Sequence, residues 1–283
     1  MPPPRMPEPW SRCPLQRLSA VFGLLTDIDD TLTRDGAIDP AAMQALLALQ
    51  AAGMPVLAIT GRPLGWSEAF AMQWPVMAIV AENGAVALWR DGDRLHIEYA
   101  QDEAKRAHNA LRLRHVAQRL LHEVPGATLS RDSGGRHTDI AVDHSEFARL
   151  GDTQIAQVVQ LMRDEGMSAT VSSIHINGWF GEHSKLSGAR WIVQRRFGRL
   201  LDDEADRWVY VGDSTNDQAM FGHCPLSVGV ANLRQFAAQL HTWPAYITAG
   251  ERGAGFAEVA QRLLDAKPGA DAPNNADGAM ERG

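Results

Sequence analysis

Val21-Phe22-Gly23-Leu24-Leu25-Thr26-Asp27-Ile28-Asp29-Asp30-Thr31-Leu32 is the stretch whose reading decides the fold. The run before Thr26 is apolar without alternation. That is the pattern of a strand covered on both faces, and so of a parallel sheet. The strand runs straight into two carboxylates two residues apart, Asp27 and Asp29. In such a place one carboxylate can attack phosphorus, while the other carries a proton and helps to frame a metal ion.

The same texture continues downstream. Asp39-Pro40 reads as an N-cap with proline in the first turn. A helix over 41–52 carries Met43, Leu46, Leu47 and Leu49, and Gly53 ends it. A strand over 55–60, a helix over 64–73 and a strand over 76–81 complete a βαβαβ order. That order implies a parallel sheet with right-handed crossovers. The texture changes near Ala85, where 86–90 and 94–99 flank Asp91-Gly92-Asp93, a hairpin signal. A long charged helix (103–123), a strand (137–142), a helix (153–165) and a strand pair (168–172, 175–180) then suggest a small α+β module over 86–182. The parallel pattern resumes with a helix over 185–197 and a buried strand over 208–211. A short helix (215–221), strands over 226–230 and 245–248 and a closing helix (255–266) follow. The expected fold class is α/β, a doubly wound parallel-sheet core (17–85 and 183–267) interrupted by an inserted α+β cap (86–182). The Pro-rich leader 1–16 and the Pro-, Gly-, Asn- and Asp-rich tail 268–283 read as disordered.

Composition is that of an ordinary globular protein, with 45% hydrophobic and 22% charged residues. A formal net charge of −7 argues against nonspecific binding of nucleic acid or an anionic membrane surface. Any anionic substrate must then be met by a metal and by local basic groups. No apolar run reaches the roughly 20 residues of a membrane span. The short run at 21–25 ends in Thr26-Asp27 and reads as a strand, not a signal peptide. Cys13 and Cys224 read as reduced thiols, and the expected location is cytoplasmic. The remaining His residues show no zinc-like spacing. Arg106, Arg112, Arg114 and Arg119 along one helix read as a solvated face.

Four pieces fall at the C-terminal ends of predicted core strands or just beyond them, where an open parallel sheet binds ligands. They are Asp27-Ile28-Asp29-Asp30-Thr31, Thr60-Gly61-Arg62, Lys185 and Gly212-Asp213-Ser214-Thr215-Asn216-Asp217. Alone, each also suits a plain structural role: a solvated acidic loop, a strand-ending turn, a helix-surface lysine, a capped turn. In this order they resemble the four motifs of the haloacid dehalogenase-like (HAD) hydrolase superfamily. Glu82-Asn83-Gly84-Ala85 ahead of the insertion adds to the likeness. The placement of the cap resembles the branch (subfamily IIB) that includes Cof-type, sucrose-phosphate, trehalose-phosphate and mannosyl-phosphoglycerate phosphatases and the phosphomannomutases. The resemblance spans about residues 20–266. It departs at Asp30, where many members carry glycine, which puts the local loop shape in question.

The resemblance implies roles that chemistry supports. Asp27 is the expected nucleophile, forming an aspartyl-phosphate, and Asp29 the general acid and then base. Mg²⁺ seeks hard oxygen ligands. Asp27, the Asp29 carbonyl and Asp213 would supply them, with Asp217 holding a metal-bound water. Lys185 and the metal would offset charge on the transferring phosphoryl group. Thr60, Gly61, Arg62 and Asn216 are expected at the substrate, with Arg62 and Glu82-Asn83 as core-side candidates. The presence of Asp29 favours phosphoryl chemistry over dehalogenation. From the cap, Arg136, His137, Asp139, His175 and Asn177 are the candidates for the leaving group, while Trp179 and Phe180 read as core. Gly84 and Gly181 lie near the two crossings into the cap and could flex there, though a glycine turn accounts for both.

The expected function is a Mg²⁺-dependent phosphatase of a small phosphorylated metabolite, by resemblance a sugar phosphate, acting as a monomer or homodimer. Two alternatives stay open. A phosphomutase of the same fold would move phosphate between sugar positions. A non-catalytic sugar-phosphate sensor would bind without turnover, though it need not keep both Asp27 and Asp29.

Overall fold

The computed structural model describes residues 6–267. In chain order its elements are β1 (Glu8–Pro9), α1 (Leu15–Ser19), β2 (Gly23–Thr26), β3 (Thr33–Arg34), β4 (Ala37–Ile38), α2 (Pro40–Ala51), β5 (Val56–Ile59), α3 (Leu64–Gln73) and β6 (Ala78–Ala81). Then come β7 (Val86–Asp91), β8 (Arg94–Tyr99), α4 (Glu103–Glu123), β9 (Thr128–Leu129), β10 (Asp139–Asp143), α5 (Asp152–Asp164), β11 (Ser168–Val171) and β12 (His175–Trp179). The last are α6 (Lys185–Phe197), β13 (Trp208–Gly212), α7 (Gln218–His223), β14 (Leu226–Gly229), β15 (Tyr246–Ile247) and α8 (Arg252–Asp265).

A nine-stranded sheet in the order β1-β15-β14-β13-β2-β5-β6-β7-β8 carries the large domain. It is parallel from β1 through β6. Its central strands β2, β5, β6, β13 and β14 are buried at every residue. That is why they read as apolar runs: helices cover both faces. Leu46, Leu49, Phe256, Val259 and Leu263 of α2 and α8 close one face. Ala189, Ile192 and Val193 of α6, with Met220 and Phe221 of α7, close the other. The second body is a four-stranded antiparallel sheet, β11-β12-β10-β9, backed by α4 and α5 around Leu113, Val116, Leu120, Val158 and Met162.

Two expected boundaries need correction. The hairpin β7–β8 does not belong to the inserted module: β7 pairs antiparallel with β6 and extends the large sheet. Alternation marks a half-covered hairpin equally well on either sheet, so the sequence pattern could not assign it. The leader is ordered from residue 8. β1 pairs with β15, and Trp10 and Cys13 of the leader, with Leu18 just beyond it, are at most 1% exposed. Trp10 meets Tyr246 edge-to-face at 5.5 Å. These three apolar side chains outweigh the proline content around them. The tail 268–283 and residues 1–5 lie outside the described residues. Cys13 and Cys224 are both free and buried. No described helix is long and apolar enough to cross a membrane.

Candidate active site

The ends of β2, β5 and β13 and the start of α6 converge on one point beneath the small sheet. Asp27 follows β2 directly and keeps its ladder, its N–H donating to the Val211 carbonyl at 2.8 Å. Lys185 opens α6, capped by Ser184, whose Oγ accepts the Ser187 N–H at 3.2 Å. Gly84 (φ +106°) makes this approach possible: a Cβ there would stand 2.2 Å from the Ser184 carbonyl. Gly212 does the same for the next loop, since a Cβ would fall 2.4 Å from Asp217 Oδ2. These glycines admit close neighbours, which decides the reading of Gly84 for packing at a turn.

Lys185 Nζ reaches Asp27 Oδ1 at 2.8 Å, Asp217 Oδ1 at 2.7 Å and Asn216 Oδ1 at 3.2 Å, and the residue is 4% exposed. Asp217 also accepts from the Asp213 N–H (2.9 Å), the Ser214 N–H (3.1 Å) and, by a short bond, the Tyr210 hydroxyl. Its four acceptor positions are thus taken. It fixes the loop and Lys185, and it stands with Asp27 and Asp213 in the buried acidic group that could hold a metal ion. Asp213 has weaker partners, Asn232 Nδ2 at 3.3 Å and the Thr31 hydroxyl at 3.5 Å. Asp27, Asp213 and Asp217 are all buried and place one carboxylate oxygen each within 4.8 Å of the others.

Three carboxylates around one ammonium leave excess negative charge. Burial pushes Asp27 up to about 7 although the adjacent Lys185 opposes it. Burial, then the charges of Asp27 and Asp217, push Asp213 well above the usual carboxylate range. Burial disfavours the Lys185 ammonium, but Asp217 and Asp27 outweigh it and hold its pKa above the ordinary value. Such a donor set is what a hard divalent cation neutralises.

Residues 24–165, half of the chain, match the model of the haloacid dehalogenase-like hydrolases. The chain belongs to that family. Solved structures with the same fold include a putative HAD/COF-like hydrolase from Plasmodium vivax (17% identity, 90% of this chain and 100% of that one, TM-score 0.64). Others are a sucrose-phosphatase from Synechocystis in complex with sucrose and phosphate (16%, 86% and 98%, 0.62) and a trehalose-6-phosphate phosphatase from Aspergillus fumigatus (14%, 92% and 100%, 0.52). No curated protein sequence matches the chain.

Around this HAD-like centre the other expected residues fall into three groups. Gly61 and Asn216 line the site, and Thr60 lies fully buried just after β5. The Thr60 hydroxyl accepts the Arg62 N–H at 3.0 Å. His175 and Asn177 of β12 join Asp27, Asp29, Gly61, Arg62 and Asn216 around a cavity of about 10 Å³. That is room for about one water molecule, so the cap is closed. Asn177 Nδ2 donates to the Gly61 carbonyl (3.2 Å) and to Asp139 (3.0 Å). A second group stands apart from the cavity. Asn83 sits behind Gly61, its N–H donating to the Thr60 carbonyl. The His137 ring pairs with Tyr99 instead. Trp179 and Phe180 are buried in the fold.

The third group joins cap to core. Arg62 is engaged by three carboxylates, those of Asp29, Asp132 and Glu146. Arg136 donates to the Gly61 carbonyl and to Asp139, each at 2.9 Å. Glu82, fully buried and at φ +49°, accepts from the cap's His137 and Thr138 N–H groups (3.0 and 2.6 Å) and the Thr138 hydroxyl (2.5 Å). Sequence reasoning missed Glu146, Asp132, Tyr210, Asn232 and Arg252. The last two explain the departure at Asp30 (φ +54°). Arg252 Nε pairs with the Asp30 carboxylate at 2.7 Å, and Asn232 donates to its carbonyl at 3.0 Å. A left-handed aspartate thus stands in where glycine is common, held by partners from α8 and from the segment between β14 and β15.

Proposed function

We propose that the protein is a Mg²⁺-dependent phosphatase of a small phosphorylated metabolite, a sugar phosphate, working through an aspartyl-phosphate on Asp27. The observation that carries the reading is Lys185 Nζ held 2.8 Å from Asp27 within a buried group of three carboxylates. Three carboxylates against one ammonium leave two negative charges, the charge a divalent ion would neutralise. Asp27, Asp213 and the Asp29 carbonyl would hold the ion. Bound there, Mg²⁺ keeps Asp27 ionised and offsets charge on the transferring phosphoryl group.

In the first half-reaction an Asp27 oxygen forms a bond to phosphorus as the bond to the leaving oxygen breaks. Asp29 gives that oxygen its proton. In the second, Asp29 takes a proton from water, whose oxygen attacks phosphorus, and Asp27 is released with inorganic phosphate. Lys185 lies against the nucleophile throughout and opposes the charge that builds on the phosphoryl oxygens. The Thr60 hydroxyl and the Asn216 amide would donate to those oxygens. Beside Asp29 a larger pocket of about 430 Å³ opens between core and cap, with Ser145, Ser173, Gln235, Arg149 and Arg252 on its walls. Its hydroxyl, amide and guanidinium groups suit a polyhydroxylated leaving group. The sucrose- and trehalose-phosphatase likenesses support that class. Two buried free thiols fit a reducing compartment, and we place the enzyme in the cytoplasm.

The test is phosphate release from a panel of phosphorylated metabolites with Mg²⁺, alongside Asp27→Asn. Release from a narrow set of sugar phosphates, absent in the mutant and in EDTA, is expected. Turnover that survives in the folded mutant would sink the nucleophile assignment. Transfer of phosphate between sugar positions without release would move the reading to a mutase.

A further inference from the structure

Arg62 is 5% exposed and touches both halves of the molecule. On the core side its Nε and Nη2 lie 2.9 Å from Asp29 Oδ1, while Oδ2 meets Nε alone at 3.1 Å. On the cap side Nη1 meets Asp132 Oδ2 at 3.2 Å and Nη2 meets Glu146 Oε1 at 2.9 Å. The other Glu146 oxygen is 2.9 Å from His175 Nε2, on the wall of the closed cavity. Asp132 is held in turn by Arg136, which donates to the Gly61 carbonyl. Thr60-Gly61-Arg62 is therefore the segment on which the cap seats. The residue that seats it is also the one that grips the expected proton donor.

We propose that Arg62 is a positioning residue that aims Asp29 only while the cap is docked. This rests on the phosphatase reading above. The guanidinium takes Asp29 chiefly by Oδ1, which leaves Oδ2 to carry the proton to the leaving oxygen. A guanidinium is planar and forked, so its direction is set by all the carboxylates it serves. With the cap away, Asp132 and Glu146 leave with it, and nothing fixes the plane of Arg62 or of Asp29. Docking thus couples closure of the site to alignment of the acid. The cap's contribution to chemistry runs through two carboxylates that need not touch the substrate.

Two measurements on the full chain with Mg²⁺ test this. The first compares phenyl phosphate with p-nitrophenyl phosphate in wild type, Glu146→Gln, Asp132→Asn, Arg62→Lys and Arg62→Ala. The esters are nearly alike in size, but nitrophenolate leaves without a proton and phenolate needs one. Loss of aim should lower kcat/KM for phenyl phosphate about 10- to 100-fold, within what a positioned acid supplies, and leave p-nitrophenyl phosphate within about threefold. Arg62→Ala combined with Glu146→Gln should be no worse than Arg62→Ala alone, since both remove one coupling. Equal losses on both esters, or additive losses, would overturn the proposal.

The second measurement needs no turnover. It is hydrogen exchange at the His137 and Thr138 amides, which the core's Glu82 protects. Glu146→Gln should speed it about tenfold while core amides such as Thr60 stay protected. Unchanged exchange would mean the ion pairs do not hold the cap and would equally refute the coupling. If wild type cleaved neither ester, the phosphatase reading would fail and the exchange result would still decide whether Arg62 seats the cap. Should Arg62→Ala not fold, Arg62→Lys and Glu146→Gln carry both arms.

Discussion

Asp27, Asp213 and Asp217 gather around a single cation, Lys185, whereas Asp29, Asp132, Glu146 and Asp139 are threaded between two guanidiniums, Arg62 and Arg136. The two clusters are neighbours under the same cap, yet burial acts on them differently. In the first, burial wins: Asp27 rises to about 7, and Asp213 rises well above its ordinary range. In the second, burial also opposes ionisation but loses at two positions. His175 and Arg62 hold Glu146 down to about 2, and Arg136, Ser130, His175 and Arg62 hold Asp132 below its usual value. Fully buried Asp139 is the exception, at about 6. The difference teaches what each cluster is for. An under-neutralised cluster is unfinished without a cation and an incoming phosphate. A cluster in which each carboxylate has its guanidinium is a joint between two bodies.

The hardest blow to the first cluster is Asp27→Asn, which should cut phosphate release by about 10⁴-fold or more in a folded protein. Phosphate-release kinetics alongside circular dichroism would check it. The hardest blow to the second is Arg136→Met. It removes the partner of Asp139 in a site where the Arg136 side chain is 2% exposed, and breaking a buried pair costs about 3–5 kcal/mol. Thermal melting should show the loss. A near-neutral result would mean that the joint is not an ionic one.

How much of this could be read in advance follows from the same contrast. The first cluster was legible because each member sits where a predicted strand ends or a predicted helix begins: Asp27 after β2, Asp213 after β13, Lys185 at the start of α6. Chemistry and position point the same way there. Tyr210 escaped because a tyrosine inside a buried strand reads as core. The second cluster was illegible because its pairings span distance. Arg62 finds Asp132 70 residues on and Glu146 84 residues on, through a cap with no spacing rule to announce them. Glu82 stood out as a core-side candidate, but its part in the joint was hidden for the same reason. A buried carboxylate at φ +49° is kept only because cap amides pay for it, and they come 55 and 56 residues later. The fold shows the same divide. Helices α3, α4 and α6 fall where periodicity puts them, while the ownership of the β7–β8 hairpin and the burial of Trp10 depend on which surface comes to meet them.

Smaller effects sharpen the contrast by sign. Asp213→Asn removes a charge from the overfull cluster. Without metal it should raise the melting temperature by about 2–4 °C, roughly 1 kcal/mol, and it should abolish the stabilisation that Mg²⁺ gives wild type. A drop in the metal-free melting temperature would show that Asp213 is already neutralised within the protein.

The pH dependences should also run in opposite directions. Asp27 must lose its proton before a cation can bind, so apparent Mg²⁺ affinity should fall about fivefold as pH drops from about 7 to about 6, with proton uptake on release. Calorimetry in two buffers of different ionisation enthalpy would detect that proton. Glu146 behaves the other way. Its pKa is lowered from 4.5 to about 2 on folding, so its contribution is fully present above about 4.5 and is lost as pH falls toward 2. Because Glu146 is only half-buried, this is the mildest effect of the set. It should appear as faster exchange at His137 and Thr138 in that window, with Glu146→Gln showing a flatter response. An acid-induced loosening equally steep in Glu146→Gln would assign the pH sensitivity of the joint to Asp132 instead.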